Sequence, residues 1–221
     1  MTKAKGYWLT LMRELGLKQS QWQPFWSELE KLYREKHRAY HRLKHIGQFL
    51  DHLHQYCRST PGGAPSPALR IAVFFHDAIY DPTRKDNEYR SWLLAKTFIE
   101  SVVDEESLKA LLLRDVEAFI MATASHVDKH TVFGVNQEEL YLFLDCDLLI
   151  LASSPRAYEV YCRQIRFEYA HFSDDDYRAG RKAFLSKFVE VPVLFRTTGV
   201  KAFADGRARD NMRRELKKLC P

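Results

Sequence analysis

Imidazoles and carboxylates stand at four places in this chain where the neighbouring residues are apolar. FFHDAIYDP, residues 74–82, closes an apolar run with the pair His76-Asp77. YHRLKHI carries His41 and His45, four residues apart and so on one face of any helix that holds both. TASHVDKH contributes Thr123, His126 and His130, and LDCDLLILA sets Asp145 and Asp147 inside a strongly apolar segment. An ionised carboxylate buried beside a histidine is costly unless something pairs with both. The partner is either a hydrogen-bonding neighbour or a metal ion.

Asp147 is the most informative single residue, because Leu148, Leu149 and Ile150 beside it are expected to be buried. Three helices converging would place His41, His76, Asp77 and Asp147 around one ion, with Asp145 the rival for the last position. Mixed imidazole and carboxylate ligands suit a divalent Mn, Fe, Co, Ni, Zn or Mg.

The elements that must bring these groups together read as helices throughout. Apolar spacing predicts helices over 6–15, 20–36, 40–57, 67–80, 87–102, 105–125, the EELYLFLDCDLLILA segment, 155–171, 173–191 and 200–219. Pro67 and Pro155 suit first helical turns, and Ser173 before three aspartates suits an N-terminal cap. RSTPGGAPSP is the strongest breaker stretch, a loop within one domain. No strand is required. The expectation is an all-α bundle of nine or ten helices forming a single domain over 1–221. A metal-site core lies at about 37–152, and the helices of 155–219 pack on it.

Composition narrows the function classes. The chain has 221 residues, 46% of them hydrophobic, enough for a sizeable core. No run of roughly 18 apolar residues marks a membrane span, and MTKAKGYWLTLMREL lacks a signal-peptide core, so a cytoplasmic protein is expected. Cys57, Cys146, Cys162 and Cys220 match no zinc spacing and read as reduced thiols. The net charge of +5 comes largely from RARDNMRRELKK, a solvated helix face without interleaved aromatics. A nucleic-acid partner is therefore disfavoured, whereas a mild field attracting small anionic substrates fits. Nothing in the sequence sets an oligomeric state.

The order H…HD…D on helices resembles the HD superfamily of metal-dependent phosphohydrolases. RAYHRLKHI, FFHDAIYDPTRKDNE, TASH, LDCDLLIL, IRFEYAHFSDDDYRAGRKAFLSKF and ARDNMRREL are together similar to an uncharacterised branch of about 200 residues. The resemblance implies an HD-like helical fold holding one divalent cation on His41, His76, Asp77 and Asp147. It implies hydrolysis of a small phosphate ester, a nucleotide by superfamily analogy, through attack of a metal-bound water. Some nucleotidases of the superfamily carry a proton-donating glutamate three residues after the dyad's aspartate. Tyr80 stands there in this chain, so Asp81 or Glu88 is expected to move the proton, beside Asp77. Arg38, Lys44, Arg84, Arg166 and Arg181 are the cations expected to meet phosphoryl oxygens, Arg matching their geometry better than Lys. His45 and His126 are expected to touch substrate or support the ligands, and His126 or His130 would ligate a second ion in a binuclear variant. Arg166 with Glu168, and Arg209 with Asn211, read as scaffold contacts, and the loop at 58–66 is a candidate cover for the pocket. Two other functions fit the same residues: a binuclear iron oxygenase, and a non-catalytic module that binds a nucleotide or partner around a structural metal.

Overall fold

The computed structural model describes residues 1–57, 63–126 and 132–219. Part of the candidate cover loop, His130 and Cys220 lie outside the described residues. Ten α-helices follow in order: α1 Lys3–Glu14, α2 Gln19–Leu32, α3 Leu43–Cys57, α4 Pro67–Phe75, α5 Asn87–Val102, α6 Glu106–Ala122, α7 Gln137–Leu148, α8 Pro155–Glu168, α9 Asp174–Glu190 and α10 Thr198–Leu219. Short 3₁₀ turns at Thr123–Ser125 and Leu149–Ala152 extend α6 and α7. No strand occurs among the described residues, so the fold is all-α as the periodicity predicts. No helix is long and apolar enough to cross a membrane among those residues.

Helix α4 is the centre of the bundle. Every residue from Ala68 to Phe75 is buried, and the helix packs on α3, α5, α6 and α7. Ser66 caps it by accepting from the Leu69 amide, and Pro67 occupies the first turn. Trp8 of α1 meets Phe74 edge-on at 5.0 Å between ring centroids, with Phe98 of α5 at 5.3 Å. Offset and edge-on aromatic pairs of this kind add about 0.5–1.5 kcal/mol each beyond the area they bury.

The helix predicted over 67–80 stops at Phe75. Arg38, wholly buried, donates to the carbonyls of Asp77 (2.6 Å) and Ala78 (2.7 Å) and takes them out of helical pairing. Ser91 of α5 receives the Ile79 amide at 3.0 Å. The His76-Asp77 pair therefore sits at a helix C-terminus opening into a turn, not in mid-helix.

The C-terminal helices close over the 149–152 turn. Val200, Ala204 and Ala208 of α10 are fully buried, and Asn211 donates to the carbonyls of Leu151 (2.8 Å) and Ser153 (2.9 Å). Beside it, Arg181 of α9 forms a two-point bond to Glu215 of α10 at 2.8 and 3.0 Å, and Tyr158 of α8 donates to the same carboxylate at 2.6 Å. Arg181, expected at substrate, is paired with Glu215 while its side chain also lines the cavity described below. A buried ion pair broken on one side leaves an uncompensated charge. Glu215→Ala should lower unfolding free energy by about 3–5 kcal/mol in urea titrations, and Glu215→Gln by less, since it keeps an acceptor for Arg181.

Candidate metal centre

Four side chains from three helical regions meet in the bundle. His45 projects from α3, His76 and Asp77 from the end of α4, and Asp147 from α7. Nε2 of His45 lies 3.1 Å from Asp147 Oδ1, and Nε2 of His76 lies 3.0 Å from Asp77 Oδ2. The cross distances are 3.6 Å from His76 to Asp147 and 3.8 Å from His45 to Asp77. Ligand atoms of His45, His76 and Asp147 all fall within 4.8 Å of one another, so this group could hold a metal ion. Atoms sharing one ion at about 2.0–2.2 Å stand roughly 3–3.5 Å apart, which the observed spacings approach.

The bonding around the imidazoles favours that use. His45 and His76 are 4% and 2% exposed, and Nε2 of each is buried with no hydrogen-bond partner. Nδ1 of His76 lies 2.9 Å from the carbonyl of Val73. A carbonyl only accepts, so Nδ1 carries the hydrogen and Nε2 presents a lone pair, the arrangement usual for metal-bound histidine. Burial by itself would raise the Asp147 carboxyl, but His126, His45 and His76 outweigh it and hold it well below the usual range. Asp77 is likewise lowered, burial being overcome chiefly by His76 and His41. Burial would lower the His76 imidazole, but Asp77 and Asp147 outweigh it and raise it well above the usual range. A dication could take the place of that ring proton between the two carboxylates.

Asp145, the rival ligand, points elsewhere. It is fully buried and accepts from the amides of Arg196 (2.9 and 3.0 Å) and Thr197 (2.7 Å), fastening the link between α9 and α10. Burial raises its pKa despite those amides. Alternation along α7 turns it away from the group that Asp147 joins.

His41 is not in the His45-His76-Asp147 group. Its Nδ1 lies 2.6 Å from Glu168 Oε2 on α8, and Glu168 Oε1 accepts the amides of Ala39 (2.6 Å), Tyr40 (2.7 Å) and His41 (3.0 Å). Tyr80 donates to Oε2 at 3.0 Å. Residues 39–42 form bends and turns rather than helix, and α3 starts at Leu43. His41 and His45 are therefore not one helical turn apart, and it is His45 that joins His76 and Asp147. Glu168, read from sequence as a scaffold contact of Arg166, is the residue missed here. Its partners are 127 to 129 positions away, beyond any local pattern.

A cavity of about 710 Å³ opens above these groups, within the range of small-molecule sites. His41, His76, Asp77, His126 and Asp147 line its floor. His126 Nε2 lies 2.7 Å from Asp147 Oδ2, on the oxygen that His45 and His76 leave open. Glu88, Arg84 and Arg181 are on the wall, Arg84 exposed and bound at two points to Asp86. Asp81, Arg38, Lys44 and Arg166 are not. Asp81 accepts from the Thr83 amide and hydroxyl in a tight turn, Lys44 is exposed on α3, and Arg166 binds Asp174 and the carbonyls of Tyr169 and Phe172. The outer wall is aromatic, with Tyr161, Tyr169, Phe172, Tyr177, Phe184 and Phe188 from α8, α9 and the link between them.

No protein-family model, curated protein or solved structure matches this chain.

Glu168 makes the centre's support sensitive to acid. Burial pushes its carboxyl up, but His41 and the amides of Ala39 and His41 hold it down at about 2, against about 4.3 for a free glutamate. A depressed carboxylate contributes stability that is complete above the unfolded value and is lost as pH falls through the folded one. Glu168→Gln in metal-stripped protein should therefore cost about 3 kcal/mol at pH 7, and the gap to wild type should shrink between about pH 4.5 and 2. Urea unfolding across that range measures it.

Proposed function

We propose that the chain is a metal-dependent phosphohydrolase that cleaves a small phosphate ester, a nucleotide by its chemistry, in the cavity over His45, His76, Asp77 and Asp147. The observation that carries this reading is the pair of buried imidazole nitrogens of His45 and His76, neither with a hydrogen-bond partner, beside two carboxylates, with His76, Asp77 and Asp147 lining an accessible cavity. The ordered HD pattern in the sequence supports the same reading. A divalent ion held by those four residues would supply Lewis acidity toward a phosphoryl oxygen and acidify a water at neutral pH.

The remaining groups suit an anionic ester. Lys187 brings a cationic side chain to the cavity wall, where charge developing on the phosphoryl oxygens needs it, while Arg84 stands there paired with Asp86. Glu88 is the expected proton-moving carboxylate that lines the cavity, whereas Asp81 is held in its turn. The aromatic outer wall supports a flat ring on the far side of the phosphate, as a nucleotide has, because stacking on Tyr and Phe tolerates any base.

His126 supports a second reading. With His126 on one oxygen of Asp147 and His45 and His76 near the other, Asp147 is placed to bridge two ions, as a binuclear iron oxygenase would require. Elemental analysis discriminates. One ion per chain, with hydrolysis in a phosphate-ester panel that stops on chelation and returns with Mn or Co, is expected. Asp77→Ala should keep the fold and lose at least about a hundredfold in kcat/KM. Two redox-active irons per chain, without hydrolysis, would favour the oxygenase.

A further inference from the structure

We infer that His41, held by Glu168, is the group that protonates the leaving oxygen, in place of the Glu88 carboxylate considered above. This rests on the phosphohydrolase reading above. Four contacts surround the His41 ring. Nδ1 is 2.6 Å from Glu168 Oε2, the Tyr80 ring packs on it at 4.3 Å between centroids, and the Tyr40 and His45 rings meet it edge-on at 5.0 and 6.1 Å. Glu168 is 2% exposed and already accepts from three amides and the Tyr80 hydroxyl, so it is an acceptor only. Nδ1 must then be the donor in that bond, and the ring's proton exchange is confined to Nε2. The ring lines the cavity beside His76, Asp77 and Asp147 and stands outside the buried group that would hold the ion. A histidine with one nitrogen anchored on a buried carboxylate and its ring on the wall of a reaction cavity has the layout of a general acid.

The step balances with water alone. The water oxygen bonds to phosphorus as the ester P–O bond breaks, and the pair of electrons from that bond goes to the leaving oxygen. The Nε2 proton of His41 joins that oxygen, giving the free alcohol. The proton shed by the attacking water returns through solvent to Nε2, restoring His41 for the next turnover. Glu168 is a positioning residue in this scheme, since it fixes the ring and the 39–41 backbone without touching substrate.

Two aryl esters of nearly the same shape isolate proton delivery. Phenolate is a poor leaving group and needs a proton, whereas p-nitrophenolate departs with little help. In manganese-loaded protein, His41→Gln should lower kcat on phenyl phosphate by about 10²–10³ and on p-nitrophenyl phosphate by under about tenfold, with metal content unchanged by elemental analysis. Glu168→Gln should show the same leaving-group bias at smaller size. Equal losses on both esters, or a His41→Gln protein that has lost its metal while His45→Ala retains it, would overturn the assignment. A wild-type protein inert to both esters would overturn the phosphohydrolase reading, and this one with it. An active wild type with a metal-depleted His41→Gln variant overturns this one alone.

Discussion

Two imidazole nitrogens with no partner, sealed into the middle of a helical bundle, are the constraint around which this molecule is arranged. A buried polar atom left unbonded costs about 1–3 kcal/mol, and natural cores contain few of them. Arg38, Asn211, Asp145 and the Arg181-Glu215 pair find partners, whereas the buried indole nitrogens of Trp8 and Trp26 do not. What sets His45 and His76 apart is that carboxylates stand 3.0–3.1 Å from their open nitrogens, in a group that could hold a metal ion. What those nitrogens lack is an electron-pair acceptor, and the neighbouring carboxylates are placed for the same one.

The scaffold around the centre works by terminating helices at chosen points. Arg38 occupies the carbonyls that follow α4, and Glu168 holds the amides of the turn that precedes α3. Both devices are charged side chains satisfied by backbone, the arrangement in which a buried charge is tolerated. Their effect is to turn His76-Asp77 and His41 toward one cavity from segments that are not helical, while His45 and Asp147 arrive from helices. Non-helical backbone at a site is usually a loop at the surface; here it is held inside by two salt-bridge-forming residues.

The helical class, the order of the elements and the dominance of one buried apolar set were legible in the chain, because apolar spacing of 3.6 is a local property. His76, Asp77 and Asp147 were legible too, since polar groups inside FFHDAIY and LDCDLLIL have no bland solvent-facing alternative. The His41/His45 choice was not. Both lie on one face if the helix begins at residue 40, but it begins at Leu43, and the glutamate that holds the preceding turn lies more than a hundred positions later. The partners of Arg38 and Arg181 are hidden for a related reason: a lone arginine near a motif looks like an anion binder, and the carbonyls or carboxylate that occupy it belong to distant segments. Asp145 and Asp147 differed by two positions on α7, enough to send one toward the α9–α10 link and the other toward the histidines.

The division of labour between the two halves of the chain has a consequence of its own. The four residues that would grip a cation lie between positions 45 and 147, whereas the carboxylate that governs His41, the 39–41 backbone and Tyr80 arrives from α8. On the proposed reading, the grip on an ion and the placement of His41 are written in separate stretches of polypeptide. A small slide of α8 along the bundle would then shift the second and leave the first in place.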